Sequence, residues 1–420
     1  MKLPFAKVRD RLLPITLGQA VGFVCGVLGV KVSTRLVTPS DYGAYGVFLS
    51  FAPLGMWVVH AGLIKFVGRH WAAAPDRGAL LREVLRAGGR KLPWLVLGTL
   101  AASFAMTGVN GWAVWPALTF AASSMSVALL TQTALQAERS HWADLGIVFV
   151  ASTSRSFLPP LLYAFAGGSL FALQAGYCLH TSLYAAAVVY LLLKYKPGLG
   201  TAPTITAVYE GPLFITLALA GWVMQGANRW IVASFFGATE AGYFTLASNI
   251  TIIVTSMLGM ILVQYFQPGF FAAASEEPLT RRQLATRVDR VAFAYTVLAL
   301  AGVATLRLIA PHLIGPLIDE KYRAALPMIV AAGCFGAAVV SAQFFHTLLL
   351  AGHREKACGP VDIGTAAVLV SASAVSAVFG EKALLTCLAF APVVPWLLTR
   401  TLARHYYFKP AACGVPEPAP

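Results

Sequence analysis

The sequence predicts an all-α polytopic membrane protein of about twelve transmembrane helices arranged as two six-helix halves. Three observations predict it. Of the 420 residues, 58% are hydrophobic and 11% charged, against about 25% charged in soluble domains. Apolar stretches of roughly 20 residues, the length a helix needs to cross a bilayer, recur along the whole chain, with no segment polar and long enough to fold as a separate soluble domain. The basic residues are also strongly biased toward alternate links between those stretches.

The spans fall at approximately 12–34, 42–63, 92–108, 113–135, 145–166, 169–193, 211–236, 242–266, 291–315, 325–350, 358–379 and 383–403. Lys2, Lys7, Arg9 and Arg11 precede the first. The run from Leu12 to about Val32 exceeds a signal-peptide core and lacks a clear cleavage site, so it is expected to stay as span 1. With the N-terminus inside, 23 of the 31 Lys and Arg lie in the N-terminal segment, the even-to-odd links and the C-terminal end. The opposite links hold Arg35, Lys321, Arg323 and Lys382. Such a bias orients the protein N-in and C-in. The two most basic loops, Lys65–Lys91 and Glu276–Arg290, follow spans 2 and 8. Trp94 and Trp142 near inner ends, and Trp112 and Trp115 near an outer end, agree as interfacial anchors.

These loops account for the net charge of +14, and no nucleic-acid motif accompanies it. The six cysteines are scattered mostly within or beside spans, without metal or disulfide spacing. No metalloprotease, nucleotide or serine-hydrolase signature is present. The expectation is a non-enzyme without cofactor or metal, and with no means of using ATP.

The halves read as repeats. The link after span 1 is Thr38-Pro-Ser-Asp41-Tyr-Gly43-Ala-Tyr45, and that after span 7 is Ala238-Thr-Glu240-Ala-Gly242-Tyr-Phe244. Each has an acid two residues before a glycine and an aromatic two residues after it, at an offset of 199 residues. Six spans per half preserve orientation, giving a parallel repeat. The N-terminal lobe is 1–200 and the C-terminal lobe 201–420, joined by the polar segment Lys194–Glu210. Asp41 and Glu240, at matching positions, read as caps of the helices they precede.

Lys31, Arg155, Arg229 and Arg307 fall inside spans, and no Asp or Glu accompanies them at mid-depth. Each costs about 2.5–3.5 kcal/mol near the bilayer centre unless it faces water, snorkels or meets an anion. Arg155 is roughly 16 Å into span 5, among Ser152, Thr153, Ser154 and Ser156 and before Pro159-Pro160, which predict a kink. A polar, kinked stretch suits a cavity wall. Trp222, Gln225 and Arg229 share a helix face beside Asn228, as i, i+3 and i+7 do, either toward a cavity or as an interhelical cluster. Arg307 and Lys31, nearer outer ends, can instead snorkel. His312 and His346 are possible proton carriers by their ordinary titration range, and Asp362 lies near the inner start of span 11.

The segment Arg35-Leu-Val-Thr-Pro-Ser-Asp-Tyr-Gly-Ala-Tyr-Gly46 resembles the link after the first span of bacterial polysaccharide exporters. The same family pattern continues through span 2 to Gly62-Leu63 and Arg69, and the second lobe starts similarly, with Asn228-Arg229 followed by Gly237-Ala-Thr-Glu-Ala-Gly-Tyr243. Gly315-Pro-Leu-Ile-Asp-Glu-Lys-Tyr322 and Leu350-Ala-Gly352-His-Arg-Glu-Lys356 flank span 10 in the same way. The chain is similar to the O-antigen flippase (Wzx-type) branch of the multidrug/oligosaccharidyl-lipid/polysaccharide (MOP) exporter superfamily. That resemblance implies two lobes around a central cavity open to alternate sides, a location in the bacterial inner membrane, and an oligosaccharide on a polyprenyl diphosphate as cargo. It also implies membrane lipid, a polysaccharide polymerase and chain-length proteins as partners. Arg155, Arg229, Arg307 and Lys31 would then hold the diphosphate, with Gln225, Asn228 and Ser152 as polar cavity residues. A multidrug antiporter of the same fold and a non-transporting scaffold for glycan synthesis are the alternatives. The lack of mid-span acids counts against the antiporter, and the scaffold would tolerate loss of the buried charges.

Overall fold

The computed structural model describes residues 5–107, 111–138, 140–196, 205, 212–273, 278–351 and 355–408. These hold α1 (Phe5–Leu36), α2 (Pro39–His70), α3 (Arg77–Thr107), α4 (Gly111–Glu138), α5 (His141–Phe165), α6 (Leu170–Ala185) and α7 (Val188–Lys194) in the first half. The second half holds α8 (Pro212–Phe236), α9 (Ala238–Ala273), α10 (Pro278–Leu313), α11 (Met328–Ala351), α12 (Glu355–Val378), α13 (Glu381–Phe390) and α14 (Val393–Phe408). A short 3₁₀ helix, Glu320–Ala325, links α10 to α11.

The α6–α7 and α13–α14 pairs each form one broken crossing, interrupted at 186–187 and 391–392. The described helices thus make the twelve expected crossings. Eight are long and apolar enough to span a bilayer by length and composition over the described residues.

Several helices run well beyond the predicted spans. The basic segment expected as a loop after span 2 is mostly helix: α2 continues to His70 and α3 begins at Arg77. The reason is amphipathicity. Leu80, Leu81 and Val84 fall on one face of α3 and pack, buried, with Phe66 and Val67 of α2 and with Trp71 just past its end, leaving the charges on the other face. After span 8, α10 is helical from Pro278 onward. The inter-half segment Lys194–Glu210, and the Gly352–Arg354 part of the motif after span 10, lie largely outside the described residues.

The halves repeat one packing scheme. α1 packs on α5, α2 on α3 and α4, and α3 on α4; seven helices later α8 packs on α12, α9 on α10 and α11, and α10 on α11. α2 against α8 and α9, and α1 against α9, join the halves.

The two related links meet at the end that the charge bias places outside. Pro39 opens α2 at a position where its missing N–H costs nothing, and the Thr38 hydroxyl caps the helix by accepting from the Asp41 N–H at 3.2 Å. The Asp41 carboxylate accepts from the Tyr163 hydroxyl at 2.6 Å and the Thr38 hydroxyl at 2.8 Å. Gly237 alone separates α8 from α9, and its φ of 92° gives the reversal that a side chain would strain. A Cβ on Gly43 would lie 1.8 Å from the Ala238 carbonyl oxygen, and one on Gly242 would lie 1.9 Å from that of Pro39. The same offset of 199 relates Pro39 to Ala238 and Gly43 to Gly242, so the backbones touch reciprocally. One step deeper, a Cβ on Gly46 would lie 2.2 Å from Thr245 Oγ1.

The 3₁₀ link of the second half closes over this contact and onto α1. The Tyr322 hydroxyl donates to the Val37 carbonyl at 3.2 Å, Lys321 Nζ to the Arg35 carbonyl at 3.1 Å, and the Asp319 N–H to Thr34 Oγ1 at 3.3 Å. The fully buried Tyr322 ring lies edge-on to Tyr42 at 6.0 Å and to Tyr243 at 6.1 Å. The outer end is sealed.

On the inner side, each half has its own polar staple. In the first, Glu138 accepts from Lys194 and lies 3.9 Å from Arg77. In the second, Asp289 takes Arg400 Nε at 2.5 Å and Nη2 at 2.9 Å, with Arg404 at 2.5 Å. Asp362 of α12 is 5% exposed and accepts from His346 Nε2 of α11 at 2.6 Å. Asp362→Ala leaves that imidazole without its acceptor, which costs roughly 1–3 kcal/mol. A lower melting temperature in detergent is expected, with Asp362→Asn losing less because its amide oxygen still accepts; equal melting of all three forms would show that the pair does not stabilise the fold.

Candidate functional site

Beneath the outer seal lies a cavity of about 370 Å³. Its walls come from α1, α2, α5 and α6 of the first half and α9 of the second. α1 contributes Gly22, Gly26 and Gly29; Gly22 and Gly29 let α5 approach, a Cβ on Gly29 lying 2.8 Å from Ser156 Cβ, while one on Gly26 would lie 3.1 Å from Ile253 of α9. α2 contributes Tyr42 and Tyr45, and α9 contributes Asn249 and Ser256. α5 contributes Ser152, Arg155, Ser156, Pro159 and Pro160. α5 stays helical through both prolines to Phe165.

Arg155 is the one cation among the described lining residues, and no acid is among them. Its guanidinium is exposed and has no hydrogen bond or ion pair among the described residues. Arg155 is about 15 Å from the outer end of α5 at 1.5 Å per residue, so it is near mid-depth.

Arg229 lies behind the cavity wall. It is half-buried on α8, about 10 Å from the outer end. Its Nη2 donates to Asn249 Oδ1 at 3.1 Å, and Asn249 Nδ2 donates in turn to the Tyr42 hydroxyl at 2.9 Å. Trp222, on the face predicted to be shared with Arg229, points into α2: its indole N–H donates to the Ser50 carbonyl at 2.6 Å and its ring meets Phe51 at 5.2 Å. Asn228 is buried. The Gln225 side chain lies outside the described residues.

Lys31 and Arg307 are not brought to this cavity. Lys31 is half-buried in the last two turns of α1, where its carbonyl accepts from the Thr34 hydroxyl at 3.3 Å. Arg307 is exposed on α10 beside the exposed Leu308 and Ile309, about 9 Å from the helix end. Both are within snorkelling reach of the outer interface.

Tyr42, Tyr45 and Asn249 are site residues that the sequence reading did not single out. Asn249 and Ser256 are seven residues apart and so share one face of α9, a signal that was there to be found. The tyrosines look like ordinary aromatic residues until α9 is placed against them.

Comparison with known proteins agrees with this architecture. Residues 32–327 match the model of a family described as polysaccharide biosynthesis protein. No curated protein matches the chain significantly. Among solved structures, a mutant of the Vibrio cholerae MATE transporter VcmN is 12% identical with a TM-score of 0.62, covering 96% of this chain and 99% of that one. A multidrug resistance MATE family transporter of the MOP superfamily aligns in its outward-facing conformation at 13% identity and a TM-score of 0.64, over 95% of this chain and 94% of that one. An inward-facing conformation aligns at 14% identity and 0.55, over 94% and 96%. At these identities the likeness is one of fold, so the sealed outer end is read from the contacts of this chain itself. The fold is that of MOP-type transporters, and the chain belongs to the polysaccharide biosynthesis protein family.

Proposed function

We propose that this protein moves an oligosaccharide carried on a polyprenyl diphosphate from the cytoplasmic to the periplasmic leaflet of the bacterial inner membrane, by alternating access. The observation that carries the reading is the cavity between the halves, with an unpartnered guanidinium at mid-depth and no acid among the described lining residues. An unpaired arginine there is costly in lipid, but a diphosphate meets its fork with charge-assisted, bidentate hydrogen bonds. Ser152, Ser156, Ser256 and Asn249 offer hydroxyl and amide groups to sugars, while the polyprenyl tail stays in lipid. With the outer end sealed, the cavity loads from the inner side, and rocking of the halves exposes the head group outside. A multidrug antiporter carrying cationic drugs would have a positive charge facing its cargo, which the Coulomb term disfavours.

Lipid extraction from a deletion strain, paired with assay of its surface polysaccharide, tests the reading. Accumulation of glycosylated polyprenyl diphosphate with loss of surface glycan is expected. Unchanged lipid intermediates and intact surface glycan, with no redundant exporter present, would overturn it.

A further inference from the structure

We propose that Asn249 couples the charge of Arg229 to the outer seal, so that an anionic head group taking hold of Arg229 releases the closed outer end. This rests on the cargo reading above. Four side chains form a line from α8 to the closure over the outer end: Arg229 donates to Asn249, Asn249 donates to Tyr42, and Tyr42 packs against Tyr322. The line crosses between the halves twice, because Tyr42 stands on α2 while the other three residues belong to the second half.

An amide suits the middle position because it carries both an acceptor and donors. Its oxygen is used by Arg229 and its nitrogen by Tyr42, so the first bond fixes the rotamer that makes the second. Asn249 and Tyr42 also line the cavity, and Arg229 is bonded to Asn249. Arg229 makes one bond to the neutral amide, whereas the same guanidinium meets a phosphate with two parallel bonds and opposite charge. Once the anion has the guanidinium, Asn249 loses the partner that orients it, and the Tyr42 hydroxyl loses its tie to α9. Tyr42 is one of the two rings that hold Tyr322 edge-on. A ligand shifts a conformational equilibrium only by its differential affinity for the two states. Here the sealed state uses Arg229 internally, while the open state leaves it free for the anion. Asn249 is thus a positioning residue of the transport cycle, acting through Arg229 and Tyr42.

The test uses the full-length purified protein in lipid nanodiscs. Spin labels are placed at Ser40→Cys and Thr239→Cys, exposed positions one residue beyond the two contacting carbonyls. The cysteine-depleted background must elute in detergent as the native chain does. The distance distribution is read with and without farnesyl diphosphate as the probe. Without probe, Asn249→Ala is expected to raise the long-distance population about fivefold, the factor that one net hydrogen bond carries. Asn249→Asp keeps an acceptor for Arg229 and can accept from the Tyr42 hydroxyl, so its labels are expected to stay close and to respond less to the probe than the parent's. The inference is overturned if Asn249→Ala matches the parent without probe. It is equally overturned if Asn249→Asp opens as the alanine variant does, because the role would then be packing alone. If the parent ignores farnesyl diphosphate while Asn249→Ala still opens, the link to the seal stands and the diphosphate cargo falls.

Discussion

Replacing Gly43 with alanine should abolish transport while leaving a folded, inserted protein. In an isolated helix this change is favourable by about 1 kcal/mol. At the seal, the added Cβ would meet the Ala238 carbonyl oxygen at 1.8 Å, about half the roughly 3.5–4.0 Å at which non-bonded atoms attract. The obstacle is backbone, which cannot rotate aside as a side chain can, so the two links must part. Overpacking of a tight contact costs about 1–3 kcal/mol or more, and here the cost falls on the outward-sealed state alone. The expected result is an outer end held open: an impermeant thiol reagent should label a cysteine placed at Tyr45 at least tenfold faster than in the parent, and surface glycan should be lost. Gly242→Ala should behave alike, through Pro39. Equal labelling rates and normal glycan in both variants would show that this contact is not the seal.

The second large effect is expected at Arg155. Arg155→Gln removes the one described cation of the cavity wall, and with it the charge-assisted pair to the proposed diphosphate. Bonds of that kind contribute about 1.5–3 kcal/mol each, so the loss of a bidentate pair lowers export by roughly two orders of magnitude or more. Because no protein carboxylate is orphaned among the described residues, insertion and melting temperature should not fall. Arg155→Lys keeps the charge without the fork and should retain partial export. Normal surface glycan in Arg155→Gln, with the variant protein at parental abundance, would remove Arg155 from the cargo site.

The fold was legible because a bilayer imposes one length and one hydrogen-bonding solution on every span, and because loop charges record orientation. The helical extensions of α2 and α3 were less so: a stretch with Lys65, Arg69, Arg77 and Arg82 looks like a solvated loop until the spacing of Leu80, Leu81 and Val84 is set against Phe66 and Trp71. Arg155 could be picked out from its polar neighbours. The surroundings of Arg229 could not, because helical spacing puts Trp222 and Arg229 on one face without saying which helix meets that face. The pairing of His346 with Asp362 is hidden for the same reason, since the two residues stand on different helices. The glycines at 43 and 242 were visible as a repeat but not as a contact.

That contact also has the symmetry of a subunit interface. Pro39 against Gly242 and Gly43 against Ala238 is an exchange in which each partner plays both parts. This is the isologous pattern of a two-fold homodimer, here drawn within one polypeptide. A six-span ancestor that dimerised through this patch would need only one glycine to build both contacts. In a chain built by joining two such copies, each copy is free to differ elsewhere, as Asp41 and Glu240 do. At this patch they stay bound to each other, since bulk added to either copy is met by the backbone of the other.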